Sequence, residues 1–232
     1  MVKKVLLFCA LVFGFTSYAF AEVKYLEYYT LKDGEIANKF YFDVHDPADG
    51  LQKIFTTTVE GHGSAQMVLQ DEFYIESSGN TKSWLATSLN DNGMETRYSG
   101  KRDGNKIVIE GKWKGKKADR ELEIDEDLFF YNPKISLTPF ILSKEKEIEF
   151  WGLRQDNLTA FKMIAKRQGE EVIRVDGKPV EAIKVYWTVD GLGSMFFKRT
   201  YWFRKSDGLY IKQLTSDGGI RELISEGARR LR

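Results

Sequence analysis

Beyond residue 21, no segment of this chain repeats its apolar residues at helical spacing over three turns, whereas apolar and polar residues alternate with a period of two almost throughout. Such a pattern builds strands with one buried and one wet face, and antiparallel pairs joined by tight turns are its natural product. Residues 23–30 and a second run carrying Ile36, Phe40, Phe42 and Val44 on one face flank Lys32-Asp33-Gly34, which reads as a hairpin turn. Between residues 94 and 124 the pattern is a meander, turning at Arg102-Asp103-Gly104-Asn105 and near Lys114-Gly115. On its middle strand Ile107, Ile109 and Trp113 face one side, with Lys106, Glu110 and Lys112 on the other. The second half repeats the scheme, turning at Asp176-Gly177-Lys178-Pro179, near Asp190-Gly191 and at Ser206-Asp207-Gly208.

About a dozen successive antiparallel strands cannot stay flat, because twist accumulates until the sheet curls. The expected fold is therefore all-β and mainly antiparallel, one large curved sheet forming a half-open barrel. The alternation breaks over residues 127–143, where Pro133, Pro139 and the apolar Leu137, Phe140, Ile141 and Leu142 predict a loop and a short plug or lid helix near 137–143. No Pro- or Ser-rich linker divides the chain, so residues 22–232 are expected to form a single domain.

Residues 1–21 carry Lys3 and Lys4 ahead of an apolar run, then Ala19-Phe20-Ala21, the layout of a secretory signal cleaved after Ala21. The apolar run falls well short of the roughly 20 residues of a spanning helix, and no transmembrane segment is expected after cleavage. Cleavage removes Lys3, Lys4 and Cys9, so the 35 basic residues fall to 33 against 34 acidic ones and no cysteine remains. A cysteine-free exported chain fits a bacterial periplasm better than a disulfide-dependent secreted domain. Near neutrality argues against nucleic acid as a partner.

Candidate chemistry is thin. His45 and His62 are the two histidines, and with no mature cysteine a metal site would need both plus carboxylates from separate strands. Paired carboxylates occur at Asp71-Glu72 and along Glu121, Glu123 and Asp125, but nothing in the spacing sets two across a cleft. The chain is read as non-enzymatic, with no catalytic residue, metal or cofactor assigned. The surplus is aromatic: at 14% of the chain, Phe, Trp and Tyr exceed what turns and surfaces need, and Met195-Phe196-Phe197 and Tyr201-Trp202-Phe203 are apolar on both strand faces. Such strands require cover on both sides.

The segments Glu149-Phe150-Trp151, Phe161-Lys162-Met163-Ile164-Ala165, Val185-Tyr186-Trp187 and Tyr201-Trp202-Phe203-Arg204-Lys205-Ser206-Asp207-Gly208-Leu209-Tyr210 resemble an uncharacterised bacterial family of exported β-proteins. Its half-barrel is similar to that of the periplasmic lipoprotein carriers of the Lol system. The resemblance implies a concave apolar face able to hold acyl chains, and carries over no catalytic motif. The function expected is a periplasmic, cell-envelope binding protein for an apolar or amphipathic ligand, a lipid or acylated molecule. Alternation proposes Phe40, Phe42, Ile107, Ile109, Trp113, Val185 and Trp187 as cavity wall, with Phe140 and Ile141 as lid. The alternative is a cell-envelope interaction or scaffold protein docking an envelope partner through a sheet edge or apolar patch, its interior filled by its own side chains. A cavity above roughly 300 Å³ separates the two.

Overall fold

The computed structural model describes residues 22–61, 67–89, 95–125, 127–189, 198–215 and 218–230. The leader 1–21, His62, and the run Met195-Phe196-Phe197 lie outside the described residues. The first half of the chain supplies β1 (Glu22–Lys32), β2 (Glu35–His45), β3 (Leu51–Glu60), β4 (Met67–Glu76), β5 (Thr81–Leu89), β6 (Glu95–Asp103) and β7 (Lys106–Trp113). Short strands β8 (Lys116–Lys117), β9 (Arg120–Glu123) and β10 (Leu128–Phe130) lead into helices α1 (Pro133–Ser136) and α2 (Thr138–Leu142). The second half supplies β11 (Glu147–Arg154), β12 (Thr159–Val175), β13 (Lys178–Val189), β14 (Lys198–Arg204), β15 (Tyr210–Leu214) and β16 (Ile220–Arg230).

All sixteen strands belong to one sheet, ordered β10-β11-β12-β13-β14-β15-β16-β1-β2-β3-β4-β5-β6-β7-β8, with β9 also on β7. Every ladder is antiparallel except that of β10 and β11. The halves of the chain meet where β16 pairs with β1, so chain order is rotated around the sheet rather than broken by a crossover. The sheet does not close through its backbone. Side chains hold the seam instead. The free edge of β10 donates its Phe129 and Tyr131 amides to Asn80 Oδ1 and Thr81 Oγ1, each at 3.1 Å, and both acceptor residues are buried. With these two amides occupied, the edge offers a second chain fewer donors to pair with. Farther along, Trp113 Nε1 donates to the Gln155 carbonyl at 2.9 Å, and Lys162 bridges Asp127 and Glu149, each at 3.0 Å.

The apolar faces turn inward as the alternation predicts, and they meet as aromatic rings. Centroids follow one another from Phe130 to Phe150 at 4.6 Å, to Trp187 at 6.2 Å, and to Tyr201 at 4.7 Å. The series continues from Tyr201 to Tyr210 at 6.0 Å, Tyr28 at 5.0 Å and Phe42 at 5.4 Å. Edge-to-face and offset contacts of this kind add to the burial of large rings. The outer face of Tyr201-Trp202-Phe203 needs no partner protein to cover it: Trp202 is half-buried beneath Lys184, 5.4 Å from its ring, and donates its indole N–H to Glu171.

The break in alternation is a plug. Asn132 caps α1, its side chain accepting from the Lys134 amide at 3.3 Å, and Pro133 and Pro139 occupy first-turn positions where no amide is needed. The segment packs between two hairpin turns: a Cβ on Gly79 would collide with the Ser136 carbonyl, and one on Gly208 would press on Thr138. At the end of α2, Arg167 Nη2 donates to the carbonyls of Phe140 at 3.0 Å, Ile141 at 3.1 Å and Ser143 at 3.0 Å. The Phe140 carbonyl also accepts from the Ser143 amide and hydroxyl, and a cation suits the carbonyl end of a helix.

Candidate functional site

The plug does not fill the barrel. A cavity of about 780 Å³ remains between α1 and the inner faces of β2–β4 and β11–β14. Its apolar lining includes Phe40, Phe42, Leu69, Phe130, Leu153, Phe161, Met163, Trp187 and Val189. Of the wall residues proposed from alternation, Phe40, Phe42 and Trp187 line this cavity. Ile107, Ile109 and Val185 are fully buried elsewhere in the core, and Trp113 sits at the seam. Phe140 and Ile141, expected as a lid, are buried in α2, away from the cavity lining.

Alternation fixes which way a side chain points but not how much of the interior a neighbouring segment occupies. On β6 and β7 the space is taken: Trp84 lies so close over Gly100 that any Cβ there would strike its ring, and Ile107 and Ile109 close the same layer. On β2, β3 and β4 the interior stays open.

The cavity also contains charges that sequence reasoning missed. Asp71 on β4 accepts hydrogen bonds from the Tyr131 hydroxyl at 2.9 Å and the Thr56 hydroxyl at 3.3 Å. Burial pushes its carboxyl up to about 6, against the pull of those hydrogen bonds and of the Lys134 charge. Lys134 on α1 and Arg199 on β14 face the same space. Enclosure by protein, then repulsion from Arg221 and Arg199, hold the Lys134 ammonium well below its ordinary value. Arg221 stacks its guanidinium on the Phe40 ring, 3.4 Å from the centroid, and donates Nε to Thr30 Oγ1 at 3.0 Å. Among the described residues two buried donors on this lining, Trp187 Nε1–H and the Tyr201 O–H, find no acceptor. Burial pushes the Tyr201 phenol up to about 12, with the Arg199 charge opposing.

A signal for these residues does exist in the chain. Asp71 is in phase with the inward Phe73 and Ile75, Arg199 with Tyr201 and Phe203, and Arg221 with Leu223. A charge in phase with a buried apolar face marks an interior polar site. The sequence pairing of Asp71 with Glu72 dissolves, since the two point to opposite faces: Glu72 turns outward to Lys53 at 2.9 Å and the Tyr74 hydroxyl. His45 lies against Phe55, ring centroids 5.4 Å apart, and Glu121, Glu123 and Asp125 are exposed. Among the described residues no three His, Cys, Asp or Glu side chains gather as a metal site would require.

No protein-family model matches the sequence, and no curated protein does. Among solved structures the chain is similar to a β-barrel-like protein of a domain of unknown function, DUF1849, from Brucella abortus, with a TM-score of 0.54 at 11% identity over 90% of this chain and 98% of that one. A DUF1089 family protein from Pseudomonas aeruginosa superposes with a TM-score of 0.43 at 11% identity, over 74% of this chain and 87% of that one. At such identity the likeness to the Brucella protein is one of fold, and it spans nearly the whole of both chains: a β-barrel-like architecture whose function is unknown. Among the described residues no helix is long and apolar enough to cross a membrane.

Proposed function

We propose that this is a non-enzymatic binding protein that holds an apolar or amphipathic ligand, a lipid or acylated molecule, in the barrel concavity, and that it acts in the periplasm once residues 1–21 are removed. One observation carries the proposal: a cavity of about 780 Å³ that the described residues leave unfilled. That volume lies within the range of small-molecule sites, roughly 300 to 1,000 Å³, and far above the voids of a packed core. Its lining mixes aromatic and aliphatic walls with a few polar groups, the composition that gives affinity through burial and orientation through hydrogen bonds. Export rests on the sequence of the leader, and kinship with the lipoprotein carriers on the resemblance of the second-half strands.

The test is native mass spectrometry of protein prepared from the periplasm. The expected mass begins at Glu22 and carries a non-covalent adduct of lipid mass, released on activation. Leu69→Trp, which puts an indole into the cavity, is expected to lower adduct occupancy while leaving the circular dichroism spectrum unchanged. A clean apo mass, unaltered by incubation with envelope lipid extract, would overturn the binding proposal.

A second function, docking of an envelope partner, is favoured by a separate feature. Leu31, Leu214 and Ile220 are all exposed, and Leu31 and Leu214 each pair with Ile220 across adjacent strands. Three apolar side chains grouped on one face form a patch on which such a partner would dock.

A further inference from the structure

The ligand's head group can be read from the cavity's polar side chains, an inference that rests on the cavity being a binding site. Trp187 and Arg199 are direct cross-strand partners on β13 and β14, and Tyr201 follows Arg199 by two residues, so all three share the inner face. The Trp187 and Tyr201 rings stand 4.7 Å apart, and each brings a buried donor with no partner. Buried donors left unsatisfied cost about 1–3 kcal/mol each, and a bound acceptor would remove that cost. Lys134 supplies a cation from the plug, and no carboxylate lies within ion-pair distance of its ammonium among the described residues.

Two of the three acids that line the cavity are otherwise engaged. Asp156 pairs with Arg154 at 2.7 Å, and Asp71 accepts from Tyr131 and Thr56. Glu60 lines the wall within reach of the Arg221 field. Among the described residues the Lys134 ammonium has no ion pair, and the Trp187 indole N–H and the Tyr201 hydroxyl donate to nothing, so an anionic head group would meet three donors on this side of the space. The neighbouring wall, formed by Phe130, Leu153, Phe161 and Met163 on β10–β12, is apolar.

We propose that the cavity takes a single-chain amphiphile with an anionic head, a carboxylate or phosphate seated among Lys134, Arg199, Trp187 and Tyr201, its acyl chain lying along Phe130, Leu153, Phe161 and Met163. The depressed Lys134 is consistent with this arrangement, because a bound anion restores the charge that burial and the neighbouring arginines oppose.

The experiment uses three probes of equal chain length, hexadecanoate, hexadecyl phosphate and hexadecanol, each competing at pH 8 against N-phenyl-1-naphthylamine fluorescence, with direct titration as a check. At least one anion is expected to bind about tenfold tighter than the alcohol, the margin of one charge-assisted hydrogen bond. Lys134→Met is expected to lose most of that margin, bringing the anions close to hexadecanol in affinity. Arg199→Lys, which keeps the charge, is expected to retain part of it; this variant covers the case that removing either cation outright disturbs folding. Equal binding of alcohol and both anions, or an anion preference untouched by Lys134→Met, would overturn the anionic head while leaving the cavity as a ligand site. Failure of all three probes to bind the folded protein would overturn both proposals.

Discussion

Replacing Asp71 with Asn tests the electrostatics of the barrel interior directly. Burial pushes this carboxyl up to about 6 from an ordinary 3.8, so the folded chain prefers it protonated. With the folded value raised, its contribution to stability is fully present below the unfolded value and is lost as pH climbs through the folded one. The loss therefore falls between about pH 4 and 6. A gap of roughly two units corresponds to about 3 kcal/mol at about 1.4 kcal/mol per unit. Because one side of Asp71 faces the cavity, where water screens the charge, about 2 kcal/mol is the expected yield.

Asparagine keeps both contacts. Its Oδ1 accepts from Tyr131, and its Nδ2 donates to Thr56 Oγ1 where the carboxylate had accepted. Asp71→Asn should therefore match the parent at pH 4 and exceed it by about 2 kcal/mol at pH 7.5, roughly 4–8 °C in Tm for a domain of this size. Urea unfolding followed by tryptophan fluorescence at pH 4, 5, 6 and 7.5 measures the difference. A gap that stays constant across this range, or a variant less stable than the parent at pH 7.5, would refute a desolvated carboxyl as its source.

Other perturbations probe the seam and the plug. Asn80→Ala leaves the Phe129 amide and Arg102 Nη1 without their shared acceptor and should cost about 1–3 kcal/mol in denaturant unfolding, with dimerisation through the freed β10 edge as a second readout by sedimentation. Arg167→Met removes the guanidinium from three helix-end carbonyls; a loss of about 2 kcal/mol, with faster amide exchange over residues 140–143, is expected. Gly100→Ala drives a methyl into the Trp84 ring and should destabilise by about 1–3 kcal/mol, accompanied by a change in near-ultraviolet circular dichroism.

Much of this architecture was legible in the chain because strand geometry is local. Side chains of a strand alternate whatever its neighbours do, so the inward Phe40, Phe42, Tyr201 and Phe203 and the outward Lys39 and Glu110 follow from period two alone. Turn glycines and aspartates such as Asp33-Gly34 and Asp176-Gly177 declare themselves in the same way, both pairs having positive φ. The prolines near residues 133–139 marked the plug, since they cannot continue a ladder.

Only tertiary structure decided where the interior is empty. Ile107 and Phe42 carry the same inward signal, yet one is fully buried in the packed core and the other borders a cavity, because free volume depends on how far the sheet curls and where the plug stops. The rotated strand order, with β16 beside β1, was equally invisible, being a pairing between residues nearly two hundred positions apart, such as Tyr28 and Leu223. Lys134, Arg199, Trp187 and Tyr201 come from a helix and two strands that no local spacing relates. Their convergence on one space is a property of the curled sheet and its plug alone.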